Sequence, residues 1–363
     1  MRCKYCFYVD EMENRETYSY GRMSLDTLEA VIKKSLAYAK DYCMIAFQGG
    51  EPTLVGLDFY KKVVEFAEKY NRNHCKIEYS LQTNGYLLDE AWAQFFAKNG
   101  FLIGISMDGN EEVHNHYRVD KDGAGTHERV QQAIELLKKY NVEFNILTVV
   151  TKELAANAAK VYRFYKRKKY KYQQYIECLD PLECEKERYG LTAEDYLQFL
   201  KDLFDEWYQD MIQGRYVYIR YFENLIMMLA GRTPESCTLR GQCGKQWVIE
   251  ADASVYPCDF YAMDEWKLGN LLEDDMEKIE QERKRIGFLQ KAAQFPKECQ
   301  ECRWFGLCHN GCKRNCIEGS GNAQGKNRFC KAYAGFLEYA YPRLVRVAKA
   351  YEIPVVYECN EKK

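Results

Sequence analysis

The sequence predicts an α/β protein: a parallel sheet with covering helices, followed by a smaller region rich in cysteine. Two observations predict this class. Between Ser24 and about Lys168, short apolar runs alternate with amphipathic helical segments. Repeated strand–helix units joined by short links form a parallel sheet, either open or curled into a barrel. The composition then changes, because nine of the sixteen cysteines fall between Cys237 and Cys330.

The domain organisation follows from that change. We place a boundary near residue 232, so that residues 1–231 form the sheet domain and residues 232–330 form the cysteine-rich domain. Residues 331–363 are expected to form a C-terminal helix, broken near Pro342, that packs back on the body. The 363 residues are enough for one large and one smaller core.

Five strands are predicted where apolar runs of strand length are bounded by turn residues. They are residues 43–47, 76–82, 101–106, 144–150 and 173–178. The first, CMIAF, is a continuous apolar run typical of a strand covered on both faces.

Helices are predicted between these strands. Ser24 can cap a helix whose apolar residues lie along one face, namely Leu25, Leu28, Val31, Ile32 and Leu36. Further helices are predicted at residues 57–70, 89–100, 126–140 and 152–166. Thr192 and Asp195 form a capping box at the start of a long helix that Gly214 ends.

Polar, glycine-containing stretches follow the predicted strands directly. They are residues 48–52 (QGGEP), 83–85 (TNG), 107–109 (MDG) and 179–181 (LDP). Function in parallel sheets collects at the carboxyl ends of the strands. One such loop would be ordinary turn chemistry, but four with carboxylates and amides predict a lined pocket.

Charge and hydropathy exclude several function classes. The 52 basic and 54 acidic side chains leave a formal net charge of -2, which gives no general attraction to nucleic acid or an anionic membrane. There is neither an apolar stretch of about 18 residues nor a signal peptide, so we expect a cytoplasmic protein. The basic run at residues 163–171 is interpreted as the solvated end of a helix, or alternatively as a patch facing phosphate or peptide.

The cysteines indicate metal binding, because disulfides are disfavoured in a reducing compartment. Eight are spaced as ligands: Cys237, Cys243, Cys258, then C-x2-C-x5-C-x3-C at Cys299, Cys302, Cys308 and Cys312, then Cys330. Eight thiolates suffice for two four-thiolate sites, which could hold structural zinc or iron–sulfur clusters. Cys316 is a ninth cysteine without an assigned role, and His309 is interpreted as a surface residue.

This pattern resembles the twin-cluster SPASM domain of certain radical S-adenosylmethionine (SAM) enzymes. Cys3 and Cys6, followed by aromatic residues, match the second and third cysteines of the C-x3-C-x2-C motif in those enzymes. There, three thiolates hold a 4Fe–4S cluster whose open iron chelates SAM. The resemblance implies a (β/α)6-type radical SAM barrel. The first cysteine would lie two residues before Met1, so we expect a truncated chain whose barrel lacks its first strand.

Within that class the chain is similar to anaerobic sulfatase-maturating enzymes, which oxidise a cysteine or serine of a sulfatase to Cα-formylglycine. The matching segments include AFQGGEPTL at 46–54, SLQTNG at 80–85, SMDG at 106–109, CLDPL at 178–182 and VYPCDFY at 255–261. The resemblance implies SAM and three 4Fe–4S clusters as cofactors. It implies as partners a sulfatase polypeptide with a Cys/Ser-x-Pro-x-Arg segment and an electron donor such as ferredoxin or flavodoxin.

The resemblance also assigns ligands to each auxiliary cluster. The first would be held by Cys237, Cys243, Cys258 and Cys312, and the second by Cys299, Cys302, Cys308 and Cys330. The family often has glycine where Ala253 stands. If that turn needs a positive φ, alanine costs about 1 kcal/mol, and we expect a slightly altered turn with an intact cluster.

Residues near the cofactor and the peptide are assigned in the same way. The backbone and carboxylate of Gly49, Gly50 and Glu51 would hold the amino group of SAM. Tyr5, Ser106, Arg118 and Leu179 would also contact SAM. Several of these residues also have a structural alternative. Tyr5 could be a packing residue, Gly50 a turn residue, Ser106 a strand-end cap, Arg118 a surface residue and Leu179 a core residue.

Asp259, directly after Cys258, is predicted to take the proton that leaves the substrate, with a turn cap as the alternative. Tyr8 and Gln48 are predicted to touch the peptide. Two other functions share these residues: another SPASM-type peptide maturase, for instance one that forms thioether crosslinks, and a non-catalytic metal-binding module.

Overall fold

A computed structural model describes residues 1–182, 191–316 and 325–357, so Cys184 and Cys359 lie outside the described residues. The described strands are β1 Arg2–Cys3, β2 Tyr42–Phe47, β3 Lys76–Thr83, β4 Phe101–Ser106, β5 Arg118–Val119, β6 Phe144–Val150, β7 Tyr172–Glu177, β8 Tyr218–Ile219, β9 Val248–Ile249, β10 Ser254–Tyr256 and β11 Gly269–Asn270. The described α-helices are α1 Phe7–Glu13, α2 Leu25–Tyr38, α3 Leu57–Tyr70, α4 Glu90–Asn99, α5 Glu111–Tyr117, α6 His127–Lys139, α7 Lys152–Ala155, α8 Ala158–Lys168, α9 Ala193–Ile212, α10 Arg220–Leu229, α11 Met276–Ile286, α12 Phe288–Ala292, α13 Lys297–Gln300, α14 Phe305–Cys308 and α15 Cys330–Ala350.

The chain divides into two compact units. The first comprises Met1–Met107, Asn115–Asn145 and Lys245–Phe288. The second comprises Asp108–His114, Ile146–Gly244 and Leu289–Lys363. The domain boundaries near residues 232 and 330 stay predictions.

Six strands form the main sheet in the order β2-β3-β4-β6-β7-β8. In the first unit β2 pairs with β3 and β3 with β4, both in parallel. In the second unit β6 pairs with β7 and β7 with β8, again in parallel. The predicted parallel sheet is therefore confirmed, and each predicted strand agrees to within one residue at either end. The sequence analysis missed β8, which has only two residues.

The prediction that the first of these strands is covered on both faces is wrong. Exposed and half-buried residues alternate along β2, and Tyr42 and Met44 are exposed. Among the described residues β2 pairs with β3 alone, which makes it the edge of the sheet. A continuous apolar run in the sequence therefore did not report burial here.

Both predicted helix caps are confirmed, one residue predicted to be buried is exposed, and the single helix predicted at residues 152–166 is divided into α7 and α8. The Ser24 hydroxyl accepts the Thr27 N–H at 3.0 Å, and the buried side chains of α2 are Leu28, Val31, Ile32 and Leu36. Leu25, which was predicted to share that face, is exposed in the first turn. The capping box of Thr192 and Asp195 is present at the start of α9.

The predicted break near Pro342 is wrong, because α15 runs continuously through that proline. Proline removes one backbone hydrogen bond from a helix interior. The face that carries Phe336, Leu337, Ala340 and Leu344 is buried, and burial of this face stabilises the helix on both sides of the proline. Within the second unit, α15 packs against α9 through aromatic pairs such as Phe204–Phe336, whose ring centroids lie 5.5 Å apart.

A small antiparallel sheet, β11-β10-β9, completes the first unit. Ala253 stands in the turn between β9 and β10 with a φ of 67°, so the turn does require a positive φ at this position. The alanine is fully buried in an apolar cluster with Val255, Leu268 and Leu271. Among the described helices, none has the length and apolarity that a membrane span needs.

Candidate active site

The two N-terminal cysteines lie in one tight turn of the first unit. Cys3 is in β1, opposite Arg118 of β5, and Cys6 precedes α1. The Cys6 N–H donates to the Cys3 carbonyl oxygen at 3.2 Å, which closes the turn. Spacing by two residues therefore brings both thiols to the same loop, as a cluster-binding motif requires.

Arg118 is buried, so the alternative of a surface arginine does not apply. Its guanidinium lies 5.4 Å from the centre of the Tyr5 ring, and its Nη1 donates to the Cys3 sulfur at 3.8 Å. The Tyr5 ring also lies 5.5 Å from the Tyr117 ring. The structure thus brings Cys3, Tyr5 and Arg118 together, and the contact of Tyr5 and Arg118 with SAM stays a prediction.

The glycine pair after β2 forms a second wall of this region. Gly49 and Gly50 have φ values of 84° and 40°, conformations that favour glycine. A Cβ on Gly49 would lie 3.8 Å from the Tyr8 ring. The loop therefore lies against Tyr8, which follows Cys6 by two residues and which we predicted to touch the peptide.

Glu51 accepts four hydrogen bonds from within the protein, and its contact with SAM stays a prediction. Its Oε1 accepts hydrogen bonds from the Thr53 N–H at 3.1 Å, the Thr53 hydroxyl at 2.6 Å and the Thr83 hydroxyl at 2.7 Å. Its Oε2 accepts the Asn84 N–H at 2.8 Å. These partners favour a positioning role, in which the carboxylate ties the loop after β2 to the loop after β3.

The remaining predicted residues are placed at strand ends. Gln48 follows β2 directly, and Ser106 is the buried last residue of β4, both in the first unit. Leu179 follows β7 in the second unit. Thr83 and Asn84 were not singled out as individual site residues, although the TNG loop that contains them was a signal in the sequence.

Asp259 begins a short 3₁₀ turn, Asp259–Tyr261, in the first unit. The Cys258 thiol donates to its Oδ1 at 3.3 Å. Burial raises the pKa of Tyr8 well above its usual value, and the charge of Asp259 is the next largest cause, followed by that of Glu11. The carboxylate predicted to accept a proton and the tyrosine predicted to touch the peptide therefore lie close enough to interact electrostatically. Sequence reasoning missed Glu11, a buried acidic residue of α1.

Four thiols of the second unit form one group. Cys302 closes a turn on Cys299, with its N–H donating to the Cys299 carbonyl at 3.1 Å, and Cys330 begins α15. Burial raises the pKa of Cys308 to about 12, and the charges of Cys330, Cys299 and Cys302 add to that rise. These are the four cysteines predicted to hold the second auxiliary cluster.

Three left-handed residues separate Cys308 from Cys312. They are His309, Asn310 and Gly311, with φ values of 47°, 64° and 66°. His309 is half-buried, not on the surface as predicted, and its Nδ1 donates to the Leu239 carbonyl at 2.8 Å. Three consecutive residues in this conformation turn the chain sharply between the two cysteines, which the resemblance assigns to different clusters.

Three further thiols border a small cavity in the same unit. Cys237, Cys243 and Cys312 border it, together with Gly311 and Lys313. These are three of the four cysteines predicted for the first auxiliary cluster, and the fourth, Cys258, belongs to the first unit. Burial raises the pKa of Cys312 well above its usual value, so binding iron there would require a buried thiol to lose its proton.

The donor set fits iron–sulfur clusters, because each of their irons is held by a cysteine thiolate. Cys237, Cys243 and Cys312 border one cavity, and Cys299, Cys302, Cys308 and Cys330 lie near enough to act on one another electrostatically.

Comparisons with known proteins give the family. The radical SAM superfamily matches residues 1–165, and the SPASM iron–sulfur cluster-binding domain matches residues 237–303. A cysteine-type anaerobic sulfatase-maturating enzyme of Clostridium perfringens is 46% identical over 350 residues, which is 96% of this chain and 95% of the relative. A serine-type enzyme of Klebsiella pneumoniae is 32% identical over 340 residues, 93% of this chain and 83% of the relative.

Solved structures agree. Native anSMEcpe with bound AdoMet and Kp18Cys peptide superposes with a TM-score of 0.91 at 46% identity, covering 96% of each chain. Streptococcus suis SuiB bound to S-adenosylmethionine superposes with a TM-score of 0.61 at 17% identity, covering 91% of this chain and 74% of that one. The second likeness extends to the fold alone.

Proposed function

The chain belongs to the anaerobic sulfatase-maturating enzymes of the radical SAM superfamily, and we propose that its substrate is a cysteine in a Cys-x-Pro-x-Arg segment of a sulfatase, which it oxidises to Cα-formylglycine. The observation that carries the proposal is the 46% identity over 96% of the chain to a cysteine-type enzyme. Serine-type relatives are 29–32% identical. Membership of this family also decides against a crosslinking maturase and a non-catalytic module.

SAM with its cluster supplies the radical that removes the Cβ hydrogen of the substrate, and the auxiliary clusters accept the surplus electron. Oxidation of a thiol to the aldehyde level removes one Cβ hydrogen atom, one proton from sulfur and one further electron, and water then replaces the sulfur as hydrogen sulfide. We propose that Cys3 and Cys6 hold the first of these clusters, and that Tyr5, the Gly49–Gly50 loop, Ser106, Arg118 and Leu179 form the surroundings of SAM.

Asp259 is proposed to accept the proton from the substrate sulfur. A general base must be able to reach the proton and must be held in position. The 3₁₀ turn fixes the backbone of Asp259 directly after Cys258, a proposed ligand of the first auxiliary cluster. Tyr8 and Gln48 are proposed to contact the peptide, since Tyr8 lies beside the glycine loop and near enough to Asp259 for the carboxylate charge to act on it.

Two replacements test the role of Asp259. In Asp259→Asn the amide keeps the size of the side chain but cannot take a proton. We expect SAM cleavage to continue and aldehyde formation to fall by about 100-fold or more, the usual contribution of a general base. Glu265→Gln is the control, because Glu265 is an exposed acidic residue in the next turn of the same unit. Aldehyde formation by Asp259→Asn at the wild-type rate would remove Asp259 from the mechanism.

The substrate proposal is tested with two peptides that differ only at the oxidised residue. The product of the complete reading frame that encodes this sequence is reconstituted with iron and sulfide without oxygen, then given SAM, dithionite and the peptide. Mass spectrometry and hydrazide trapping should find the aldehyde in the Cys-x-Pro-x-Arg peptide at a clearly higher rate than in its serine counterpart. A faster reaction with serine would overturn the cysteine preference, and a crosslinked product would overturn the reaction itself.

The remaining partners are proposed from the same chemistry. A ferredoxin or flavodoxin suits the electron supply, because a radical SAM reaction needs a low-potential one-electron donor. We propose that the protein works in the cytoplasm, where thiols stay reduced and available to iron. No disulfide joins the described cysteines.

A further inference from the structure

Lys313 is a buried lysine beside the thiols proposed to hold the first auxiliary cluster. Its residue is only 7% exposed, which is unusual because lysine is almost never fully buried unless it has an electrostatic partner. It follows Cys312 directly and borders the same cavity as Cys237 and Cys243. Sequence reasoning gave no role to this residue.

The position of Lys313 is fixed by a short turn that is closed at both ends. The Asn315 N–H donates to the Cys312 carbonyl at 3.0 Å, and the Cys316 N–H donates to the Lys313 carbonyl at 3.1 Å. The buried Asn315 amide also donates to Glu177 Oε1 at 3.3 Å. The backbone that carries the lysine is therefore held beside the cavity.

We propose that the ammonium group of Lys313 raises the reduction potential of the first auxiliary cluster, which makes that cluster the acceptor of the surplus electron. A 4Fe–4S cluster with four thiolates has a net negative charge, and reduction adds one more. A nearby cation stabilises the more negative reduced form, and net charge is one of the quantities that set cluster potentials. The effect is larger in a buried site than at the surface, because water and salt screen it less.

Lys313 is also near a second proposed ligand, because its charge acts on the Cys243 thiol, which borders the same cavity.

The thiols proposed to hold the second auxiliary cluster have no buried lysine beside them among the described residues. The lysine that acts on Cys299 and Cys330 is Lys326, whose side chain is 48% exposed. Its Nζ also lies 3.8 Å from Glu298, which offsets part of its charge. The lysine beside the first site is therefore buried, and the lysine beside the second is half exposed and screened by water.

Redox titration followed by electron paramagnetic resonance tests the inference on the reconstituted full chain. The signal of the first auxiliary cluster is identified by its loss in Cys243→Ser. In Lys313→Met, we expect the ratio of reduced to oxidised first auxiliary cluster, measured at a fixed potential, to fall by tenfold or more. For a one-electron couple, a tenfold fall corresponds to a midpoint potential about 59 mV lower. Lys313→Arg should keep the wild-type midpoint. Lys326→Met, the matched control, should change the ratio for the first cluster less than twofold.

Several outcomes would overturn the inference: an unchanged midpoint in Lys313→Met, an equal shift in Lys326→Met, or an Arg variant that shifts as far as the Met variant. Iron is counted before each titration, and Lys313→Gln serves as a second neutral variant. If both neutral variants lose the first cluster, the lysine is needed for assembly, and the inference also fails. The inference rests on the proposed function, but the titration contains no peptide, so a failure to form formylglycine remains distinguishable.

Discussion

Replacement of Glu51 separates a positioning role from direct contact with SAM. Its two carboxylate oxygens accept four hydrogen bonds, at 2.6 to 3.1 Å, from Thr53, Thr83 and Asn84. Glu51→Gln keeps the size of the side chain but turns one oxygen into an NH₂ group that cannot accept. If the amide oxygen takes the Oε1 position, the Asn84 N–H loses its acceptor and faces another donor.

The magnitude follows from these contacts. A hydrogen bond to a charged group contributes about 1.5–3 kcal/mol, and an unsatisfied buried donor costs about 1–3 kcal/mol. Because the two ranges describe the same lost bond, they are not added, and we expect a local destabilisation of about 2–3 kcal/mol for Glu51→Gln. Glu51→Ala removes all four bonds and leaves two backbone N–H groups without an acceptor, so we expect about 3–6 kcal/mol.

Hydrogen exchange measures this loss at the loops themselves. A destabilisation of about 2 kcal/mol increases the opening equilibrium about 30-fold, so the Thr53 and Asn84 amides should exchange at least that much faster in Glu51→Gln. SAM affinity, measured by equilibrium dialysis, should fall with it. Glu65→Gln is the control, because Glu65 makes only an exposed pair with Lys62. Weaker SAM binding with unchanged exchange at both amides would refute the positioning argument and favour direct contact.

Three further predictions concern stability, each measured as an apparent melting temperature without oxygen at one scan rate. Gly311→Ala should destabilise by more than Gly214→Ala and release iron from both auxiliary clusters. Both glycines have positive φ, but a Cβ on Gly311 would lie 2.7 Å from Asn327 Nδ2, and one on Gly214 would meet nothing within 4 Å; equal losses would contradict this. Ala253→Gly should change stability by less than about 1 kcal/mol. The glycine relieves about 1–2 kcal/mol of backbone strain, but it removes a buried methyl group that contributes about 0.8 kcal/mol and makes the unfolded chain more flexible. Asp210→Asn should cost about 1–3 kcal/mol at neutral pH, because the buried Tyr162 hydroxyl, Lys166 and Arg215 all contact this carboxylate. Burial would raise the pKa of Asp210, but the hydrogen bonds from Lys166 and Arg215 lower it overall. The carboxylate therefore contributes to stability at neutral pH, and this contribution is lost as the pH falls through that pKa. The stability difference between wild type and Asp210→Asn should shrink in acid, and a constant difference would contradict the assignment.

Much of the fold was predictable because its signals are local. Apolar runs bounded by glycine and polar residues located five strands to within one residue, and the caps at Ser24 and Thr192 need only a side chain and the next turn of backbone. The failures were of a different kind. Exposure of Met44 depends on which strands flank β2, and continuity through Pro342 depends on the packing of α15.

The candidate site divides in the same way. The spacing of the cysteines and of the GGEP segment is a property of the chain, so the cofactors and the family could be inferred from the sequence, and the cluster ligands could be proposed from it. The partners of Glu51 and the burial of Lys313 could not, because each depends on groups that approach from distant parts of the chain or on exclusion of water from a cavity. Sequence alone determined which chemistry the protein carries, since thiolates and glycine turns specify it by type and spacing. Tertiary structure decided which charges are buried beside that chemistry, because the strength of a charge's field depends on its distance and on the solvent around it.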